Sequence, residues 1–266
     1  MRSRLVAGLV AAGSGAALMR WGRHRETIAG LHWHRTNHAG RPVTLWEGAA
    51  YATGVALGAL AAGSVPAATA SVGSAVFGAL DDHHGDSASK GLKGHLGALA
   101  SGEVTTGAVK ILGIGLTGLT TAVLVDRGAD RSLTVSTVIG GGVIAASANL
   151  GNLLDLRPGR TLKATVLGAV PLLWGPGGVT SVASVGAAAG VIGPDLRGES
   201  MLGDTGANAA GAALGTAAVQ RLGWRGRVAA FAALTALTLV SERVSFTKVI
   251  ESTPVLRELD QWGRPR

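Results

Sequence analysis

Ala79-Leu80-Asp81-Asp82-His83-His84-Gly85-Asp86 closes a run of small apolar residues that begins near Pro66. A run of this kind that stops abruptly at adjacent carboxylates reads as a helix leaving hydrocarbon for water. Two later runs end or begin in the same way, at Asn149-x-x-Asn152-x-x-Asp155 and at Gly203-Asp204-Thr205-Gly206. The fold follows from whether these three acidic breaks lie on one side of a membrane.

Composition favours a membrane. The 266-residue chain is 47% hydrophobic and 15% charged, with a mean hydropathy of +0.35, which is too apolar for an ordinary soluble domain. Its 42 glycines suit helices in lipid, which associate by close backbone approach at small residues. Gly54-x-x-x-Gly58, Gly186-x-x-x-Gly190 and Gly211-x-x-x-Gly215 are the local examples. In a soluble helix each glycine would cost about 0.5–1 kcal/mol relative to alanine, so a soluble all-helical reading is poorly supported. Without cysteine, disulfides, iron–sulfur clusters and thiolate zinc sites are excluded. The net charge of +8 is scattered between apolar runs and forms no basic stripe. Anionic lipid head groups and a phosphorylated substrate are therefore expected partners, and nucleic acid is not.

The expected fold is all-α: one integral membrane domain over residues 1–266, a polytopic bundle of about nine helices, with ten allowed. The first run, 5–19, is read as a retained helix in preference to a signal peptide. Arg20, Arg23, Arg25, Arg35 and Arg41 follow it against Arg2 and Arg4 before it, so the amino terminus is expected outside. Further runs are expected at about 47–64, 66–80, 105–125, 132–150, 161–174, 179–193, 205–222 and 228–242, with Gly175-Pro176-Gly177-Gly178 as a strong breaker. This alternation makes 20–46, 81–104, 151–161, 194–204 and the tail 243–266 cytoplasmic. Arg221, Arg225 and Arg227 in an outside loop fit that topology least well.

All three acidic breaks then meet at the cytoplasmic face. Carboxylates and amide oxygens are the hard ligands that Mg²⁺ takes, with substrate phosphate and water completing the octahedron. Asp81, Asp82, Asp155 and Asp204 are the candidate metal ligands, and of two adjacent aspartates one can remain available as a base. Lys90, Lys93, Arg157 and Arg160 are candidates to neutralise a pyrophosphate, arginine being suited to bidentate contact. Blander readings stand beside these: a solvated loop for Asp81-Asp82, a helix cap for Asp204, and interhelical hydrogen bonds for Asn149 and Asn152. The histidines, including His32, His34, His83 and His84, are read as phosphate or interfacial contacts before transition-metal ligands.

In order and spacing, Asp81-Asp82, Asn149-x-x-Asn152-x-x-Asp155 and Gly203-Asp204-Thr205-Gly206-Ala207 resemble the motifs of the polyprenyl-phosphate N-acetylhexosamine-1-phosphate transferase superfamily, over about residues 45–215. The resemblance implies a Mg²⁺-dependent enzyme of the bacterial inner membrane, with Mn²⁺ able to replace the metal. Such an enzyme moves a sugar-1-phosphate from a UDP-sugar to polyprenyl phosphate and releases UMP in cell-wall glycan synthesis. Carried over, Asp204 is the magnesium ligand, Asp81 the acid that deprotonates the lipid phosphate and Asp82 its partner near metal and phosphates. Asn149, Asn152 and Asp155 then lie near metal and nucleotide. The chain departs from the family pattern at Asp155-Leu156-Arg157-Pro158, where Asp-Gly is usual, and in a tail, 245–266, without histidine. A homodimer is compatible with this reading. The rivals are an inactive homologue acting as an envelope-assembly scaffold, and an ion-coupled transporter.

Overall fold

The computed structural model describes residues 1–29, 33–37, 40–84, 101–102 and 105–265. Among them, eleven α-helices and one two-stranded hairpin account for almost all regular structure. In chain order these are α1 (Arg2–Ala29), β1 (His34–Thr36), β2 (Pro42–Thr44), α2 (Trp46–Ala61), α3 (Val65–His84), α4 (Thr106–Gly128), α5 (Val135–Leu154), α6 (Arg160–Ala169), α7 (Gly178–Leu196), α8 (Gly203–Arg221), α9 (Trp224–Ser241), α10 (Phe246–Ser252) and α11 (Pro254–Gln261). The expected all-helical class holds, with corrections to its segments. The first helix runs on to Ala29, through what the charge pattern marks as loop. The run at 161–174 forms only the ten-residue α6 and a 3₁₀ turn at Val170–Leu172. The tail from 246 is itself helical.

Four helical stretches are long and apolar enough to cross a membrane: Arg2–His24, Thr106–Gly128, Val135–Leu154 and Gly178–Leu196. A fifth arises if Trp224–Ser241 and Phe246–Ser252, bent by 92°, count as one broken span. Large apolar side chains cover the outer faces of α4 and α9, including Leu112, Leu116, Leu237 and Leu239, as lipid contact requires.

The helix α8 forms the centre of the bundle. Its sequence is a succession of Gly, Ala, Thr and Asn buried on every side, so it needs little hydrophobic bulk and instead lets α2, α3 and α5 approach its backbone. A Cβ on Gly48 of α2 would lie 2.1 Å from the Leu202 carbonyl oxygen, and one on Gly78 of α3 would lie 2.3 Å from that of Asp204. The three small-xxx-small pairs noted in the sequence all sit at such crossings. Gly54 and Gly58 face Ala11 and Ala7 of α1, Gly186 and Gly190 face Gly8 and Ala12, and Gly211 and Gly215 face Ser147 and Ile144 of α5. In Gly211→Ala the new methyl would meet the Ser147 carbonyl oxygen at 2.0 Å, so a loss of about 1–3 kcal/mol is expected from overpacking. Gly115→Ala, where the Cβ meets nothing within 4 Å, should be neutral or slightly stabilising. Thermal unfolding of the two variants in detergent tests this, and equal midpoints would contradict the packing role.

At the end of the bundle away from the acidic motifs, a buried ion pair ties three helices together. Arg227 of α9 donates to both carboxylate oxygens of Asp126 on α4, at 2.6 and 2.9 Å, and to the carbonyls of Ser136 and Val219. Thr137, part of the capping box that starts α5, donates to the same carboxylate. Arg227, one of the three loop arginines that fitted the topology least well, is thus a buried partner on α9, only 1% exposed.

A candidate carboxylate–lysine site

The acidic break at the carboxy-terminal end of α3, the Asn-x-x-Asn-x-x-Asp element ending α5 and the start of α8 converge at the other end of the bundle. Asp82 accepts from the backbone N–H groups of Asp204 (3.1 Å) and Thr205 (2.8 Å) and from the Thr205 hydroxyl (2.6 Å). It therefore satisfies the orphan donors at the amino end of α8, where the helix dipole also favours negative charge. The cap expected of Asp204 is supplied by Asp82 from another helix. Gly203 has φ +60°, and a Cβ there would stand 3.0 Å from Asp82 Oδ2, so the turn into α8 needs glycine on both counts.

With Asp82 so engaged, Asp204 projects beside Asp81, and Lys110 of α4 reaches between them. Its Nζ donates to Asp81 Oδ2 at 3.1 Å and to Asp204 Oδ2. Asn152 completes the group. With its amide oriented by the network, its nitrogen donates to Asp204 Oδ1 at 2.6 Å and its oxygen accepts from Lys110 Nζ at 3.1 Å. Two carboxylates and one amide oxygen thus surround a single cationic position. Sequence reading passed over Lys110 as a charge inside a helix; a lone lysine in an apolar run was the signal that could have found it.

A groove of about 380 Å³ runs from Lys110 between α4, α5 and α9, lined by Ile111, Ile114, Ala145 and Phe231. Asn149 lies in this groove, its amide donating to Thr238 of α9 at 3.1 Å. It is therefore one helical turn away from the carboxylates and does not contact them.

Asp155, expected to share the metal with Asp204, belongs to a neighbouring acidic group. It sits beyond the end of α5, close to Asp195 of α7 and Glu47 of α2, which are 2% and 0% exposed. Ser200 donates to Glu47 at 2.5 Å. Burial pushes the Asp155 carboxyl well above its ordinary value, and the charge of Asp195 pushes the same way. Oδ2 of Asp155 and Oε1 of Glu47 are buried without a hydrogen-bond partner among the described residues. A cavity of about 150 Å³ opens beside Asp155 and Asp195, walled by Leu156, Arg157 and Pro158 and by Asn37 of the hairpin. Glu47 and Asp195 were not singled out by sequence; acids within or bordering apolar runs were the available clue.

The basic candidates divide. Lys90 and Lys93 lie outside the described residues. Arg157 pairs with Glu251 at 3.2 Å and Arg160 with Asp260 at 2.7 Å, so both guanidinium groups are engaged by the carboxy-terminal helices. His83 packs edge-on against Trp33, ring centroids 4.6 Å apart, and Trp33 in turn against Trp46.

Among the described residues no three His, Asp or Glu side chains are grouped as a metal cage. The donor chemistry around Lys110 Nζ, oxygen only and drawn from two carboxyl groups and an amide, nevertheless suits a hard cation. Asp81, Asp204 and Asn152 are the residues that fit; Asp155 and Asp82 are turned to other partners. No family model matches the chain, and no curated protein matches it.

Proposed function

We propose that the chain is a multi-pass plasma-membrane enzyme that transfers a sugar-1-phosphate from a UDP-sugar to polyprenyl phosphate, releasing UMP, in bacterial envelope glycan synthesis. The observation that carries this reading is the convergence of Asp81, Asp204 and Asn152 on one cation position at the inner end of an apolar groove. That pairing suits a substrate with a hydrocarbon chain and a phosphate head. In the full topology proposed, about nine helices alternate across the bilayer from an outside amino terminus, and the acidic end faces the cytoplasm.

Phosphoryl transfer needs chiefly alignment of the nucleophile and neutralisation of charge. The acceptor enters laterally along the groove, its phosphate exchanging with a carboxylate at Lys110 Nζ. Asp81, released from the lysine, takes the proton of the acceptor phosphate. The acceptor oxygen then attacks the sugar-bearing phosphorus of the donor, the P–O bond to UMP breaks, and UMP leaves with the electron pair. Asp204 and Asn152 would hold Mg²⁺, which would supply charge neutralisation at the pyrophosphate and leave Asp81 to act as the base. The cavity beside Asp155 is the place proposed for the nucleoside end of the donor.

A second reading, an inactive scaffold, is favoured by one observation: Lys110 already satisfies both acids. Purified protein with undecaprenyl phosphate, Mg²⁺ and a panel of UDP-sugars distinguishes the two. UMP release that depends on both the lipid and the metal is expected. No release with any donor, under conditions where an established enzyme of the resembled superfamily is active, would leave the scaffold.

A further inference from the structure

We infer that Asp260 is a positioning residue: it straps the carboxy-terminal helices across the loop that follows Asp155, and so sets the shape of the cavity beside Asp155 at which the donor is proposed to bind. The role in donor binding rests on the transfer reading above; the strap itself does not.

The cavity wall formed by Leu156, Arg157 and Pro158 is a short connection between α5 and α6. Gly159 turns it with φ +70° and packs so tightly that a Cβ would lie 2.4 Å from Leu196. On one side the Gly159 backbone lies against the Asp195 carboxyl. On the other side the tail supplies the contacts. Arg160, 4% exposed, donates from Nε and Nη2 to the two oxygens of Asp260 at 2.7 and 3.0 Å, and from Nη1 to Thr247 at 2.9 Å. Arg264 donates to the Pro158 carbonyl at 2.8 Å and to Asp260 at 2.9 Å. Lys163 donates to the backbone carbonyls of Asp260 and Trp262, and Arg157 to Glu251.

Asp260 is the hub of this set: among the described residues it is the acid that pairs with both Arg160 and Arg264, while Asp195 lies near enough to Arg264 to feel its charge. A bidentate, largely buried Arg–carboxylate pair is directional as well as strong, and removing one partner leaves the other buried and uncompensated. Burial alone would raise the Asp260 carboxyl, but the hydrogen bonds and charge of Arg160, with those of Arg264, outweigh it and hold it below its ordinary value. The pair is therefore ionised at neutral pH and weakens only as pH falls through that depressed value. An apolar cavity of about 250 Å³ beneath the strap, lined by Leu154, Leu167, Ile192, Leu256 and Leu259, leaves few packing contacts to hold the tail once the pair is broken. The loop beside Asp155 is then free to open.

The test uses the full chain in detergent or nanodiscs, comparing wild type with Asp260→Asn and the charge-keeping Asp260→Glu. Amide hydrogen exchange over residues 155–163 and tryptic cleavage after Arg160 should each accelerate roughly tenfold in Asp260→Asn, as expected when a local opening is made easier. With a UDP-sugar donor, KM should rise roughly tenfold while kcat stays within about twofold, the pattern of lost ground-state positioning, and Asp260→Glu should recover part of it. Unchanged exchange and cleavage would overturn the strap. A loosened loop with KM unchanged would overturn the positioning role. If Asp260→Asn does not fold, Arg264→Gln removes the Pro158 contact while keeping the buried pair. Partial loosening in that variant supports the strap, and none overturns it. A wild-type chain that turns over no donor removes the transfer reading alone, because exchange and cleavage still decide the strap.

Discussion

Asp204→Asn is expected to abolish transfer, lowering kcat by about a thousandfold or more, the scale found when a preorganised charge at a phosphoryl or oxyanion centre is removed. The substitution is isosteric. The asparagine can still accept from Lys110, and the backbone N–H of residue 204 still donates to Asp82, so the start of α8 keeps its cap. What disappears is one of two negative charges around the cation position. A folding loss would appear as a lowered unfolding midpoint, whereas loss of metal binding would appear as a Mg²⁺ requirement shifted to higher concentration with the midpoint unchanged. Full activity in Asp204→Asn would show that the metal assignment is wrong. Asp82→Asn should behave differently, because Asp82 caps α8 and accepts three hydrogen bonds; its loss should reduce stability as well as turnover.

The largest loss of stability is expected at the opposite end of the bundle. Arg227→Ala leaves the Asp126 carboxylate, 1% exposed as a residue, without the partner that donates to both its oxygens. Breaking a buried pair from one side costs roughly 3–5 kcal/mol, which for a chain of this size corresponds to a fall in Tm of order 10 °C. Because most of that cost is the buried charge, which Arg131 at 3.6 Å compensates only in part, the double variant Asp126→Leu/Arg227→Met should recover most of the loss. Thermal unfolding in detergent measures both. A single variant with an unchanged midpoint, or a double variant no better than the single, would contradict this account. Turnover of the folded fraction should be untouched, since the pair lies at the far end of the bundle from Asp204.

Much of this arrangement was legible in the sequence because it is local or periodic. Apolar runs mark helices, Gly175-Pro176-Gly177-Gly178 stops the chain before α7, and the small-xxx-small pairs lie at the crossings they imply. The acidic motifs were visible too, since a carboxylate at the end of an apolar run is costly enough to need a reason. The partners of those carboxylates were not legible. Lys110, Glu47, Asp126 and Asp260 are single charges with no distinguishing neighbours in the chain, and their roles depend on which helix faces which. Nor did the sequence separate Asp82 from Asp81. A one-residue step turns a side chain by about 100° on a helix, so one aspartate caps α8 and the other meets Lys110.

By itself, then, the sequence determined an all-helical chain rich in close helix contacts, with acidic residues collected at the ends of its apolar runs, because helical period and the cost of charge in hydrocarbon act residue by residue. Only the tertiary structure decided that Lys110 is the cation between Asp81 and Asp204, that Asp155 turns instead towards Asp195 and Glu47, and that the tail is bound through Asp260 to Arg160. The hydrogen-bonded pairs among them join residues from 29 to 100 positions apart, and no local rule specifies them. They are set by backbones drawn together at glycine, which brings charges from distant segments within hydrogen-bond reach.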